Sequence, residues 1–222
     1  MLLAIDTSTS WISLALFDGV SLRYEVTWQS QYHHTVELAP AIEQLFTRTG
    51  TTPQDLTGLA VAIGPGSFTS LRIGLAVAKG LSLALKLPIV GIPSLDVVAT
   101  AQPLDERSLV AVLHAGRTRL CYATYKADEG AWIRVSGPLV IDPKELVKTI
   151  KKSTLICGEL SEDARSIIGR RWKNAVIVSP AKSLRRAGYL AELGWARLQK
   201  DLNDDPVGLA PIYLSTTNSI PL

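Results

Sequence analysis

The stretch "AIGPGSFTSLRIG", residues 62–74, joins a buried apolar run to a helical pattern and decides how the fold is interpreted. Backbone N–H groups at a helix N-terminus can hold a phosphate, and glycine lets the chain approach an anion closely. However, the stretch lacks both the Gly-Lys-Ser/Thr ending of a P-loop and the third glycine of the dinucleotide fingerprint. Two interpretations stay open: an anion-binding loop, or a tight strand-to-helix turn capped by Ser67 or Thr69.

The helix that follows is predicted to be apolar around most of its circumference. Its strongly polar residues fall within one stripe about 80° wide at 100° per residue, and they are Arg72, Lys79, Ser82 and Lys86. Ala76, Gly80 and Ala84 form a ridge of small residues on which another helix can pack closely. The pattern predicts either burial between two lobes of this chain or an interface with a second protein.

Outward from this helix, the chain shows the same order of elements twice. Apolar runs near residues 2–5, 12–16 and 22–28 predict three strands, followed by a helix, a strand and the helix after the loop. The second half repeats the order from residue 109 and ends in a predicted helix over residues 184–198. Both halves begin βββαβα. The sequence therefore predicts an α/β fold of two duplicated lobes, residues 1–102 and 103–222.

Composition and charge suggest a cytoplasmic protein. Of the 222 residues, 47% are hydrophobic and 19% charged, as in a soluble globular chain. The longest apolar stretch, residues 73–87, is shorter than the roughly 20 residues of a membrane span, and "MLLAIDTS" lacks the basic start of a signal peptide. Residues 144–200 carry thirteen Lys/Arg against five Asp/Glu, so a solvated helix surface and an RNA partner both stay open.

Few residues suggest catalysis. Asp6 in "AIDTSTSW", residues 4–11, could hold magnesium through water while the hydroxyls contact phosphate, or the turn could satisfy its own N–H groups. The three histidines lack metal-binding spacing, and no metal site is expected. Cys121 and Cys157 lie in apolar runs and are predicted to be buried free thiols.

Three segments closely resemble the TsaB (YeaZ) family, the bacterial partners of TsaD. They are "LLAIDTSTSWISLALFDG", "HHTVELAPAIEQLF" and above all "GPGSFTSLRIGLAVAKGLSLAL", and the resemblance is strong over the first 100 residues and weak beyond. It implies an ASKHA-type fold, actin-like and ribonuclease H-like. It also implies a non-catalytic subunit that binds and activates TsaD, which makes threonylcarbamoyladenosine next to the anticodon of tRNAs reading ANN codons.

The same resemblance implies partners and candidate residues. The partners are TsaD in a heterodimer, TsaE in a larger complex, or a second copy of this chain, with tRNA as the substrate of the complex and no membrane. No cofactor of its own is expected, apart from ATP or ADP at the interface with TsaD. Candidate interface residues are Leu38, Ile42, Leu45, Ile73, Val77, Gly80 and Leu81. Candidate nucleotide- or phosphate-facing residues are Asp6, Ser8, Gly64, Gly66, Ser67 and Thr69.

The chain departs from the family pattern at several places. Ser70 stands where glycine is usual, and Ser215 stands where arginine is common near the end. In "HAGRTRLCY", residues 114–122, His114, Gly116 and Arg119 stand where many members of the family have the polar residues of an Asp-Ala-Arg segment followed by a Gly-Glu pair. The alternative function is a stand-alone ASKHA-type small-molecule kinase, but Gly158 stands alone where a glycine-rich adenosine motif is needed. A metallopeptidase is disfavoured because the HxxxH pair is missing.

Overall fold

Each half of the chain forms a five-stranded mixed sheet in the computed structural model of the protein, which describes residues 1–31, 33–116, 118–171 and 173–214. The first half contains β1 (Leu2–Asp6), β2 (Trp11–Phe17), β3 (Leu22–Gln29), α1 (His34–Thr49), β4 (Gly58–Gly64), α2 (Phe68–Leu85), β5 (Ile89–Pro93) and α3 (Ser94–Thr100). The second half contains β6 (Ser108–Ala115), β7 (Arg119–Asp128), β8 (Ala131–Ile141), α4 (Pro143–Thr149), β9 (Thr154–Gly158), α5 (Glu162–Gly169), β10 (Ala175–Ile177), α6 (Pro180–Ser183) and α7 (Ala187–Leu198).

The two sheets have the same topology. Their strand orders are β3-β2-β1-β4-β5 and β8-β7-β6-β9-β10. In each sheet the first three strands of the unit are antiparallel, and the two later strands add in parallel on the other side of the first strand. The predicted duplication of an α/β lobe is therefore confirmed.

The first sheet is covered by helices on both faces, because alternate residues of a strand point to opposite sides. Leu3 and Ile5 of β1 pack in one apolar cluster with residues of α1 and α2. Leu2 and Ala4 pack in a second cluster with α7, which includes Leu190. This arrangement explains why the strands are apolar on both faces, as is typical of sheets with helix layers on each side.

The chain crosses between two compact units more than once. The first unit contains Met1–Val97 and Arg186–Ile212, and the second contains Val98–Arg185. The predicted division into residues 1–102 and 103–222 differs from this in the returning segment, because α7 packs on the first sheet. The sequence reasoning placed α7 in the second lobe by its position in the repeat and had no signal for its return.

The last predicted helix is also shorter than expected. Leu184 and Arg186 are extended, so α6 ends before them and α7 begins at Ala187. Arg185 is buried and its Nη1 donates to Glu159 Oε1 at 2.7 Å within the second unit. Arg186 donates from Nε to Glu25 Oε2 at 2.8 Å within the first unit. An extended backbone points consecutive side chains in opposite directions, which these two ion pairs require.

Helix α2 is, among the residues that the structure describes, the one helix long and apolar enough to cross a membrane. Its Leu75 and Ala78 lie in the core of the first unit, packed against strand residues. The apolar residues of α2 therefore include those with which this helix covers the first sheet.

Both cysteines are buried free thiols, as predicted. Burial raises the pKa of the Cys121 thiol from 9.0 to about 12, and it also raises the pKa of Cys157. Desolvation is the cause, because it disfavours the thiolate. Both thiols are therefore held in their unreactive protonated form at neutral pH.

We expect neither cysteine of the native protein to react with a thiol reagent such as dithionitrobenzoate at pH 8, whereas both react after unfolding in guanidinium. The pKa of Cys121 is about 12 in the folded state and 9.0 when the thiol is exposed by unfolding. Ionisation of this thiol therefore lowers the free energy of unfolding only as the pH rises from 9 toward 12. Reaction of either thiol within seconds in the native protein would contradict this assignment.

Candidate functional site

The glycine-rich loop between β4 and α2 is held against the turn between β1 and β2. The backbone N–H of Ser67 donates to the carbonyl oxygen of Ser8 at 2.7 Å. Gly66 lies so close to the same carbonyl that a Cβ at this position would overlap it. The loop therefore approaches a peptide group of its own chain at the place where a phosphate-binding loop approaches an anion.

A buried network of hydroxyl groups fixes this arrangement. Asp6 Oδ1 accepts from the backbone N–H of Ser8 at 2.9 Å and from its hydroxyl at 2.7 Å. The hydroxyls of Ser8 and Ser94 are 2.6 Å apart, and Ser94 Oγ accepts from the N–H of Gly64 at 3.1 Å. The network thus connects the ends of β1, β4 and β5.

Helix α2 begins at this loop through a side-chain cap. Ser67 is the N-cap residue, and its hydroxyl oxygen accepts from the N–H of Ser70. This outcome confirms the interpretation of the stretch as a capped strand-to-helix turn, with Ser67 rather than Thr69 as the cap. Ser70 is buried and its carbonyl accepts from Thr7 Oγ1 at 2.7 Å, which ties the first turn of α2 to the turn after β1.

The predicted phosphate-facing residues divide into two groups. The side chains of Asp6 and Ser8 are fully buried and bonded within the chain. Gly64 is buried and Gly66 is half-buried, whereas Ser67 and Thr69 are exposed at the start of α2. Nucleotide binding by these residues stays a prediction, and the exposed positions are the ones that a bound molecule could reach.

Two glycines of α2 have opposite environments. A Cβ at Gly74 would overlap Thr7 Oγ1, so this glycine allows α2 to pack against the turn after β1. A Cβ at Gly80 would meet nothing within 4 Å. The fold itself therefore does not require glycine at position 80.

The outer surface formed by α1 and α2 exposes several apolar side chains, and we call it the two-helix face. It contains exposed residues of α1 and α2 and the half-buried residues between them and the core. The exposed members are Val36, Ala39, Ala76, Gly80, Leu83 and Ala84, and the half-buried members are Ile73, Val77 and Leu81. Val36 is 67% exposed and Leu83 is 61% exposed.

The predicted interface residues are only partly on this face. Leu38, Ile42 and Leu45 are buried in the core of the first unit, because α1 turns them toward the sheet. They hold α1 in place and are not accessible on the surface of this chain. Ile73, Val77 and Leu81 pack against the same core with part of their surface exposed, and Gly80 is exposed.

Sequence reasoning missed the exposed apolar residues. Val36, Phe68 and Leu83 were not among the candidate interface residues, although Leu83 belongs to the predicted apolar circumference of α2. Phe68 is 53% exposed, and the Arg72 guanidinium lies 3.7 Å from its ring centroid. A helical wheel of α1 would have separated Val36 from the buried Leu38, Ile42 and Leu45 by their angular positions. A groove of about 700 Å³ between β3 and α1, lined in part by Trp28 and Glu37, was also not predicted.

The second unit repeats the loop geometry in a smaller form. Gly158 ends β9 with φ +110°, and a Cβ there would overlap the carbonyl of Val112. The next N–H, of Glu159, donates to that carbonyl at 3.0 Å. His114 is exposed and Arg119 half-buried at the hairpin from β6 to β7, while Ser215 lies outside the described residues. Over the described ranges, no three His, Cys, Asp or Glu side chains are grouped as metal ligands.

Comparison with known proteins agrees with this architecture. A family model described as "TsaD: tRNA N6-adenosine threonylcarbamoyltransferase" matches residues 28–206. The chain belongs to the TsaD family. It is 34% identical over 148 residues to the tRNA threonylcarbamoyladenosine biosynthesis protein TsaB of Escherichia coli (strain K12), covering 64% of this chain and 63% of that protein. It is 29% identical over 217 residues to the Bacillus subtilis (strain 168) protein of the same name, covering 96% and 93%.

Solved structures support the fold assignment of this TsaD family member. YeaZ from Pseudomonas aeruginosa is similar with a TM-score of 0.81 at 22% identity, over 96% of this chain and 99% of that one. The ROK hexokinase from Thermus thermophilus has a TM-score of 0.52 at 11% identity, over 89% and 99%. The predicted ASKHA-type fold and the resemblance to TsaB (YeaZ) proteins are thereby confirmed.

We expect the substitution Asp6→Ala to lower the free energy of unfolding by about 2 to 3 kcal/mol, because it leaves the buried N–H and hydroxyl of Ser8 without this acceptor. The measurement is urea denaturation followed by circular dichroism. Glu43→Ala, at an exposed position of α1, is the control and should change the free energy by less than about 0.5 kcal/mol. Equal effects of the two substitutions would contradict a structural role for Asp6.

Proposed function

We propose that this chain is a non-catalytic subunit that binds TsaD through the two-helix face and activates threonylcarbamoyl transfer to adenosine next to the anticodon of tRNAs reading ANN codons. The observation that carries the proposal is the exposed apolar surface of α1 and α2. The names of its relatives supply the process, since they are tRNA threonylcarbamoyladenosine biosynthesis proteins. TsaE joins this pair in a larger complex.

The shape of the face favours a partner of the same fold. Gly80 leaves open space above α2, and its neighbours Ala76 and Ala84 are small, so a second helix can approach the backbone closely. A protein of the same family has equivalent helices in its own first unit. Two such helix pairs can pack about an approximate two-fold axis, the arrangement that symmetric dimers use.

The contact between the glycine-rich loop and the carbonyl of Ser8 supports a role in which this chain carries out no phosphate chemistry of its own. The Ser67 N–H that could hold an anion already donates to Ser8, and Gly66 is covered by the same carbonyl. We therefore place ATP or ADP at the interface with TsaD, next to the exposed Ser67 and Thr69, and assign catalysis to TsaD. We also propose that the protein works in the cytoplasm, where tRNA is modified.

Reconstitution tests this function. Threonylcarbamoyl transfer to tRNA is measured with matched TsaD, TsaE and TsaC, the proteins with which TsaB-family members work, and it is measured with and without this chain. We expect transfer only when the chain is present. Equal transfer in its absence would overturn the proposal, and transfer by the chain without TsaD would overturn its non-catalytic assignment.

We expect Gly80→Arg to weaken pairing with TsaD by about 100-fold, because an unpaired charge must be buried in an apolar contact. The folded chain should keep or gain stability, since arginine has a higher helix propensity than glycine and open space surrounds the site. Pairing is measured by isothermal titration calorimetry and stability by thermal melting. Sedimentation of the isolated chain shows whether a second copy uses the same face.

The matched control is Val20→Arg, which adds the same side chain in the turn between β2 and β3, where Val20 is 90% exposed. It should pair with TsaD like the unsubstituted protein. Normal pairing by Gly80→Arg would show that α2 is not the contact surface.

A further inference from the structure

We propose that two adjacent connections at one end of the second unit bind the phosphate backbone of RNA, here the tRNA substrate. They are residues 150–153, between α4 and β9, and residues 170–171 and 173–174, between α5 and β10, and we call them the basic connections. The choice of tRNA as the polyanion rests on the proposed function, whereas the binding surface itself rests on the geometry below.

Hydrogen bonds hold the basic connections side by side. The N–H of Thr154 donates to the carbonyl of Asn174 at 2.8 Å, and Asn174 Nδ2 donates to the carbonyl of Lys151 at 3.3 Å. Thr154 and Ala175 are also partners in the parallel pairing of β9 and β10. Both connections therefore lie at the end of the sheet where β9 and β10 begin.

The charged side chains of the basic connections are all positive. Lys151, Lys152, Arg170 and Arg171 are all exposed. No Asp or Glu occurs in residues 146–158 or 164–178. These four cations and Lys173, which is also exposed, thus lie on two adjacent segments that contribute no carboxylate.

The carboxylates of these elements lie elsewhere. Glu159, Glu162 and Asp163 follow the end of β9, so the five residues of that strand separate them from the basic connections by roughly 16 Å. Glu145 is paired with Lys148 Nζ at 2.6 Å. The strand direction therefore separates these carboxylates from Lys151 and Lys152, whereas Arg170 also lines a cavity that Asp142 and Asp163 share.

Helix dipoles do not account for the whole cluster. A cation at the last turn of a helix is favourable, and Lys148 in α4 and the C-cap residue Arg170 after α5 have these positions. Lys151, Lys152 and Arg171 lie beyond the two helices and add like charges that repel one another. Lysine and arginine together are the side chains that bind phosphates, as a point charge and as a planar donor group.

Salt-dependent RNA binding by the full chain tests this inference. The probe is an unmodified transcript of a tRNA reading an ANN codon, and binding is followed by fluorescence anisotropy between about 50 and 200 mM salt. The test variant is Lys151→Gln/Lys152→Gln/Arg170→Gln/Arg171→Gln. The control variant is Arg48→Gln/Lys126→Gln/Lys182→Gln/Lys200→Gln, at exposed positions outside the basic connections. Both lower the formal net charge from +3 to −1.

We expect the test variant to lose about tenfold or more in affinity and its slope of log K against log salt to fall by about 2 to 3, since each phosphate contact contributes about 0.7 to 0.9 to the slope. The affinity of the control variant should stay within about twofold of that of the unsubstituted chain, because salt screens charges that do not contact the RNA. Equal losses in both variants would overturn the inference, as would absence of binding by the unsubstituted chain alone and in its complex.

The same variants separate this inference from the proposed function. The test variant should pair with TsaD normally, and Gly80→Arg should bind tRNA as the unsubstituted chain does. RNA binding that depends on the basic connections without any pairing with TsaD would refute the proposed function alone. A test variant that binds RNA normally but loses TsaD or TsaE would show an acidic protein surface as the partner and refute the inference.

Discussion

The hydrogen bond from the Ser67 N–H to the carbonyl of Ser8 is the contact on which the first unit depends. It joins the loop after β4 to the turn after β1, and Gly66 allows the two backbones to meet because it has no side chain. Asp6 and Ser94 hold that carbonyl in position through the hydroxyl of Ser8. A loop with the outline of a phosphate-binding element is thereby closed by a peptide group.

Closing the loop also fixes the direction of α2. The N-cap at Ser67 and the bond from Thr7 to the Ser70 carbonyl set the first turn, and Gly74 lets the helix lie against the turn after β1. Leu75 and Ala78 then face the sheet. Part of the remaining apolar surface of this 18-residue helix is exposed among the described residues, and it becomes part of the two-helix face.

Local patterns were sufficient to predict most of the fold, and non-local contacts account for what they missed. A cap at Ser67 or Thr69 and the duplicated order of elements depend on neighbouring residues, so they can be predicted from the sequence. The core position of Leu38 and the exposure of Val36 depend on how α1 is rotated against the sheet, which periodicity limits but does not decide. The return of α7 to the first sheet depends on contacts between distant segments, and the ion pairs of two consecutive arginines mark the place where the chain turns back.

The duplicated topology gives the two units different surfaces because their corresponding helices differ in length. In the second unit Ser161 caps α5 as Ser67 caps α2, whereas the carbonyl of Val112 accepts from the Glu159 N–H beside the pairing of β6 with β9. However, α5 has eight residues where α2 has eighteen, and its buried residues Ala164 and Ile168 face the core of its own unit. A helix of two turns cannot present a long apolar face after covering its sheet. The second unit instead exposes the connections beyond its short helices, so the same sheet topology supports an apolar surface in one unit and a cationic one in the other.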